Sequence, residues 1–173
     1  MLFGAAIVTV ALHGCSAPWQ GPINMGPTDT GAGTLTAARA HLEGRWTNVS
    51  YELFPPGAAP ISIGGTGLLT YDAYGNMTIE VRVDEATARI LGAAGIPTTN
   101  NAVITSGRTA IDIQARTLTY VVEGQKAFDA PGGPAALSRP RHWQVDGDML
   151  TLTTMGDDGK PTSIGRWQKM KGN

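Results

Sequence analysis

Tyr120 and Arg141 are the residues whose type and setting best suit them to chemistry. Each alternates with apolar neighbours, Leu118 and Val122 for the first, Trp143 and Val145 for the second, so each shares a strand face with them. If that face points inward, a phenol and a guanidinium stand among apolar walls. Such a pocket orients a carboxylate, phenolate or sugar-like head group while its walls bury the apolar body. The alternative is that Arg141 points outward and pairs with a surface acid. Three acids fall in strand segments. Glu80 alternates against Ile79 and Val81, and Asp112 against Ile111 and Ile113, which places both in water. Glu52 is ambiguous, and a buried carboxyl there would act as a base with a raised pKa. His13, His41 and His142 sit on separate segments with no His, Cys, Asp or Glu at metal-ligand spacing, so no metal and no cofactor is expected. No Gly-x-Ser-x-Gly elbow supports a nucleophilic triad.

The elements that must position these residues read as strands. A short helix comes first, Thr34 to Leu42, with Thr34 or Thr36 as N-cap, alanines at 37, 38 and 40, and Gly44 as its end. From Arg45 the apolar period becomes two. Strands are expected at 45–54, 66–71, 77–83, 103–114 (bent near Gly107), 117–123, 141–145, 149–154 and 163–170. Met77, Ile79, Val81 and Val83 against Thr78, Glu80, Arg82 and Asp84 give the cleanest alternation, with the apolar face inward. Residues 85–95 form a short helix or lid, with Asp84 to cap it. Asp146-Gly147-Asp148 and Asp158-Gly159 mark tight hairpins. Eight sequential antiparallel strands of this length close into an up-and-down barrel, because closure removes the free edges, and such a barrel encloses side chains or one small ligand. The expected fold is therefore an all-β, eight-stranded antiparallel barrel with a short N-terminal helix.

Composition bounds the rest. The 173 residues suit one domain, and 23 Gly and 11 Pro suit many turns. Thirteen Lys plus Arg against 14 Asp plus Glu leave a net charge of -1, with no basic stripe beyond Arg166, Lys169 and Lys171, which argues against nucleic acid as a partner. Leu2 to Leu12 is an apolar run of signal-peptide length, too short to span a bilayer as a helix. It leads to Leu12-His13-Gly14-Cys15, an order that resembles the lipobox of bacterial lipoproteins. The resemblance implies cleavage before Cys15, the chain's sole cysteine, and its acylation, which tethers the mature protein to a membrane. Ser16 after it resembles the sorting signal for the outer membrane of enteric bacteria. The expected division is 1–14 signal peptide, 15–33 flexible tether and 34–173 barrel.

Three further segments resemble the bacterial lipocalin-like domain across roughly residues 42 to 170: Gly44-Arg45-Trp46 opening the first strand, Gly67-Leu68-Leu69-Thr70-Tyr71 leading to Gly75-Asn76-Met77, and Asp146-Gly147-Asp148-Met149-Leu150-Thr151-Leu152. In lipocalin barrels the Gly-x-Trp tryptophan closes one end and a basic residue of the last strand packs over it. The resemblance therefore implies structural roles for Gly44, Trp46 and Arg166, the last from Gly165-Arg166-Trp167. The family often places a His where this chain has Tyr120. What the resemblance implies is a fold and a ligand class, small and largely apolar, with no reaction attached.

Together these readings predict a lipid-anchored lipocalin-like protein of the bacterial cell envelope that binds one small hydrophobic or amphipathic molecule. The expected lining is Ile79, Val81, Ile111, Ile113, Tyr120, Val122, Arg141 and Trp143. Two alternatives stand beside it. One is an enzyme of cyclase or isomerase type using Tyr120 or Glu52 with Arg141 holding an oxyanion. The other is an envelope scaffold whose barrel is filled by its own side chains. An apolar cavity favours the carrier, a buried acid facing Arg141 the enzyme, and a filled interior the scaffold.

Overall fold

A computed structural model of the chain describes residues 33–122, 133 and 135–171. The expected signal peptide, Cys15 and nearly all of the expected tether lie outside the described residues. Helix α1 (Leu35–Leu42) begins at Thr34, whose hydroxyl accepts from the Ala37 N–H at 3.2 Å, satisfying one of the helix's open donors. Gly44, at φ +128°, turns the chain directly into strand β1 (Gly44–Leu53). Trp46, fully buried, donates its indole N–H to the Leu42 carbonyl at 2.8 Å, which pins α1 across one end of the molecule. That end is the floor.

The remaining elements are β2 (Ile61–Ile63), β3 (Thr66–Tyr71), β4 (Asn76–Arg82), α2 (Glu85–Ala93), β5 (Ala102–Asp112), β6 (Thr117–Val122), β7 (Arg141–Asp146), β8 (Met149–Met155) and β9 (Pro161–Lys169). Neighbours run antiparallel in the order β2-β1-β3-β4-β5-β6-β7-β8-β9, and β1 also pairs with β9. Strands β2 and β3 lie along the same edge of β1, β3 on its first half and β2 on its second. They are two parts of one interrupted wall strand, so the wall is a closed eight-stranded antiparallel barrel, as the sequence predicts. β2 itself falls in a stretch read as a Gly/Pro loop.

Period-two burial holds around the wall. On β4, Met77 and Ile79 are buried while Thr78, Glu80 and Arg82 are exposed, and Trp46, Leu69, Met77, Leu118 and Leu150 form the most deeply buried apolar set. Turn chemistry fixes the register. The Asp72 carboxylate accepts from the backbone of Tyr74 and Asn76, and Gly147 (φ +55°) makes the two-residue hairpin between β7 and β8. Opposite the floor, α2 caps on Asp84, which accepts from the Thr87 N–H at 2.7 Å, and buries Leu91. With Ile96 it roofs the barrel end formed by the C-termini of β1, β4 and β6 and the N-termini of β7 and β9.

One structural expectation is overturned here. The cation over Trp46 is Lys169, with its Nζ 5.1 Å from the ring, not Arg166. On β9, Ser163, Gly165 and Trp167 point inward, so Arg166 has the opposite phase. It leans along the outer wall to the Ser50 hydroxyl (3.4 Å) and the Glu52 carboxylate (3.3 Å). Lys169 shares the inward phase and stands opposite Trp46 in the ladder.

Candidate functional site

Between the deep core and the roof the barrel keeps an apolar cavity of about 70 Å³. Ile63, Ile79, Val81, Val103, Leu152 and Trp167 form most of its apolar wall, with Leu91 and Ile96 above. Its polar end is built by β6, β7, β1 and β9, which contribute Tyr120, Arg141, Tyr51 and Ser163. Of the expected lining, Ile79, Val81, Tyr120 and Arg141 meet here.

Arg141 is buried, at 5% exposure, which overturns the outward alternative. Its guanidinium lies 5.0 Å from the centre of the Tyr120 ring. Its two Nη groups donate to four backbone carbonyls, those of Leu137 (2.6 Å), Arg139 (2.7 Å), Ala136 (2.8 Å) and Ala135 (3.3 Å). Of the five N–H donors on a guanidinium, Nε–H is the one outside this set. Arg141 therefore folds the 135–139 segment over the cavity, and Leu137 from that segment reaches the lining. Among the described residues no carboxylate pairs with this buried cation. A charge removed from water without a counter-charge is costly unless its surroundings solvate it, and here carbonyl dipoles and a π face do so.

The phenols complete the polar end. Tyr71, from β3, hydrogen-bonds hydroxyl to hydroxyl with Tyr120, their ring centres 6.4 Å apart. The pair has two protons and uses one between them, so one O–H is left to serve an acceptor. Burial pushes the Tyr71 hydroxyl well above the ordinary phenol range, and the neighbouring Tyr120 adds to this. Burial also raises Tyr120, with the Arg141 charge pulling back. Tyr51 is raised by burial as well, offset by a hydrogen bond with Ser163, whose hydroxyl in turn donates to Thr154 at 2.9 Å. All three phenols keep their protons at neutral pH.

The other expected residues lie elsewhere. Ile111 and Val122 pack against the core without lining the cavity. Ile113 and Trp143 sit at the floor, beside a second, more polar cavity of about 370 Å³ under α1 with Thr34, His41 and Arg116. The phase of Trp143 is inward as expected, but its height is not. β7 pairs with only the first two residues of β6, which sets Trp143 level with the Arg116 turn, its N–H 3.3 Å from the Arg116 carbonyl. Glu52 faces outward and pairs with Arg166, so it is not the buried acid the enzyme reading needed. Glu80 and Asp112 are exposed, the former paired with Arg82 at 3.0 Å. Among the described residues no three His, Cys, Asp or Glu side chains gather around one point.

Comparison with known proteins adds no family. No family model matches the chain, and no curated protein matches it. The site therefore stands on its own geometry. Sequence reasoning missed Tyr51, Tyr71 and Ser163. The signal for the first two was present, since Tyr71 is in phase with buried Leu69 and Tyr51 with buried Leu53. Ser163 carried none, because a lone Ser at a strand start reads as an edge.

Proposed function

We propose that the barrel is a binding module that holds one small amphipathic molecule in the upper cavity, its acceptor-bearing head against Tyr120 and Arg141 and its apolar body against Ile79, Val81 and Trp167. The observation that carries this reading is the buried Arg141 cation, set among phenols in an apolar cavity whose described lining includes no carboxylate. Every polar group there that has a donor to spare favours a carboxylate, phenolate or similar head. The lipobox-like Leu12-His13-Gly14-Cys15 supports a lipid-anchored place in a bacterial cell envelope, and the barrel is compatible with the lipocalin-like resemblance of Gly44-Arg45-Trp46.

The experiment is native mass spectrometry of the protein purified gently from cells that make it naturally, before and after denaturation. A reproducible small molecule released on unfolding supports the module and names its ligand. A bare mass, with no change in tryptophan fluorescence against a panel of alkyl carboxylates and phenols, overturns it. The scaffold reading has one observation in its favour, the size of the cavity. At about 70 Å³ it is under half of the roughly 150 Å³ void that admits benzene.

A further inference from the structure

That small volume raises the question of how a larger molecule would fit, and the wall beside the cavity answers it. Strand β1 pairs Thr47 with Leu68 of β3 and next Tyr51 with Ile63 of β2. Between these rungs Asn48, Val49 and Ser50 have no ladder partner on that edge among the described residues. On their other edge the register with β9 slips between Asn48 and Ser50, leaving Val49 as a bulge. Facing the lapse are Gly64, Gly65, Thr66 and Gly67. Two of these glycines are explained by crowding. A Cβ at Gly67 would lie 2.5 Å from a Val81 methyl, and one at Gly65 would lie 2.8 Å from the Arg82 carbonyl. Gly64 is different. A Cβ there would meet nothing within 4 Å among the described residues, and its backbone is not in the left-handed region. What the missing side chain leaves is an opening, since Gly64 and Gly65 are exposed to solvent and line the cavity at once, together with Asn48. Val81 and Val83 beside Gly65 and the 54% exposed Val49 give the rim an apolar side, with Asn48 and Thr66 as its polar members.

We propose that this gap between β1 and the β2–β3 joint is a window into the cavity, and that Gly64 determines what passes: a molecule with a narrow apolar tail, too long for the cavity, keeps its head inside and leaves its tail in the window. The window rests on the strands alone, whereas its use by a tailed ligand rests on the binding reading above. The test needs no natural ligand. In the full chain carrying Cys15→Ser, the substitution Ser163→Cys places the only thiol inside the cavity. The probes are methyl and hexyl methanethiosulfonate, read by mass spectrometry of the folded protein. Both should label to completion, Gly64→Phe should slow the hexyl reagent on the order of tenfold, and Gly92→Phe, on the roof helix where a side chain also meets nothing within 4 Å, should slow neither. Three results overturn the window: a hexyl reagent excluded from the parent, a Gly64→Phe rate equal to the parent's, or slowing by Gly92→Phe instead, which would put access at the roof. Val103→Cys, on the opposite wall, repeats the series should Ser163→Cys fail to fold. Labelling that fails leaves the binding module standing, and a barrel that retains no ligand leaves the window standing.

Discussion

The hydroxyl pair of Tyr71 and Tyr120 makes a sharp test of the site, because each phenol is the other's partner and both are buried. Tyr120→Phe strands the Tyr71 hydroxyl and should cost about 1–3 kcal/mol in urea unfolding, and the double change to phenylalanine should recover much of that loss. The same burial sets a pH dependence. Tyr51, Tyr71 and Tyr120 are held above the ordinary phenol value of 10.0 in the folded chain, so the unfolded chain loses these protons first. Their contribution is fully present below pH 10.0 and falls as pH rises through that value toward the folded ones. Alkaline titration of phenolate absorbance should show Tyr51, Tyr71 and Tyr120 ionising late and together with loss of structure. At this scale the sequence was half legible. Alternation gave Tyr120 and Arg141 apolar neighbours on their faces but left open whether the Arg141 face points inward, and a strand's phase says nothing of height along the barrel, which is why Ile113 and Trp143 join the expected lining yet lie at the floor. The Arg166 expectation failed on phase, since Arg166 alternates against inward Gly165 and Trp167, and only the β1–β9 register shows Lys169 opposite Trp46.

Among the elements, the hairpins and β4 could be read directly because turn chemistry and strict alternation agree there. β2 could not, since Ile-Ser-Ile alternates for only three residues between Gly/Pro stretches, too few to read as a strand, and its existence depends on β1 offering an edge. The packing of β5 on β6 is less forgiving than its sequence suggests. A Cβ at Gly107 would stand 2.2 Å from the Val121 carbonyl, so the two strands can close only around a glycine. Gly107→Ala should destabilise the protein by about 1–3 kcal/mol, measured by thermal unfolding. Amide exchange should rise first in β5 and β6, whose ladder runs from Gly107–Val122 to Asp112–Thr117. The lapse between β2 and β3 makes the opposite prediction for Gly64, where a larger residue is accommodated.

Over the whole molecule, almost every ladder joins strands that are close in sequence, and the β1–β9 seam alone joins the beginning of the barrel to its end. Folding should therefore wait on that seam, the one pairing that closes a loop the length of the barrel. A chain ending before Pro161 should lose its single cooperative transition, with far-ultraviolet circular dichroism and tryptophan fluorescence no longer changing together. The seam also has a mechanical character. β1 begins and β9 ends at the floor, with Trp46 opposite Lys169 there and Leu53 opposite Ser163 at the other end. Ladder bonds lie across the strands, so tension applied to the two chain ends meets them one rung at a time, as a zip is drawn, and never loads them all in shear. The indole under its lysine is the first tooth, and the barrel should come apart under modest force from the floor upward, surrendering the upper cavity last.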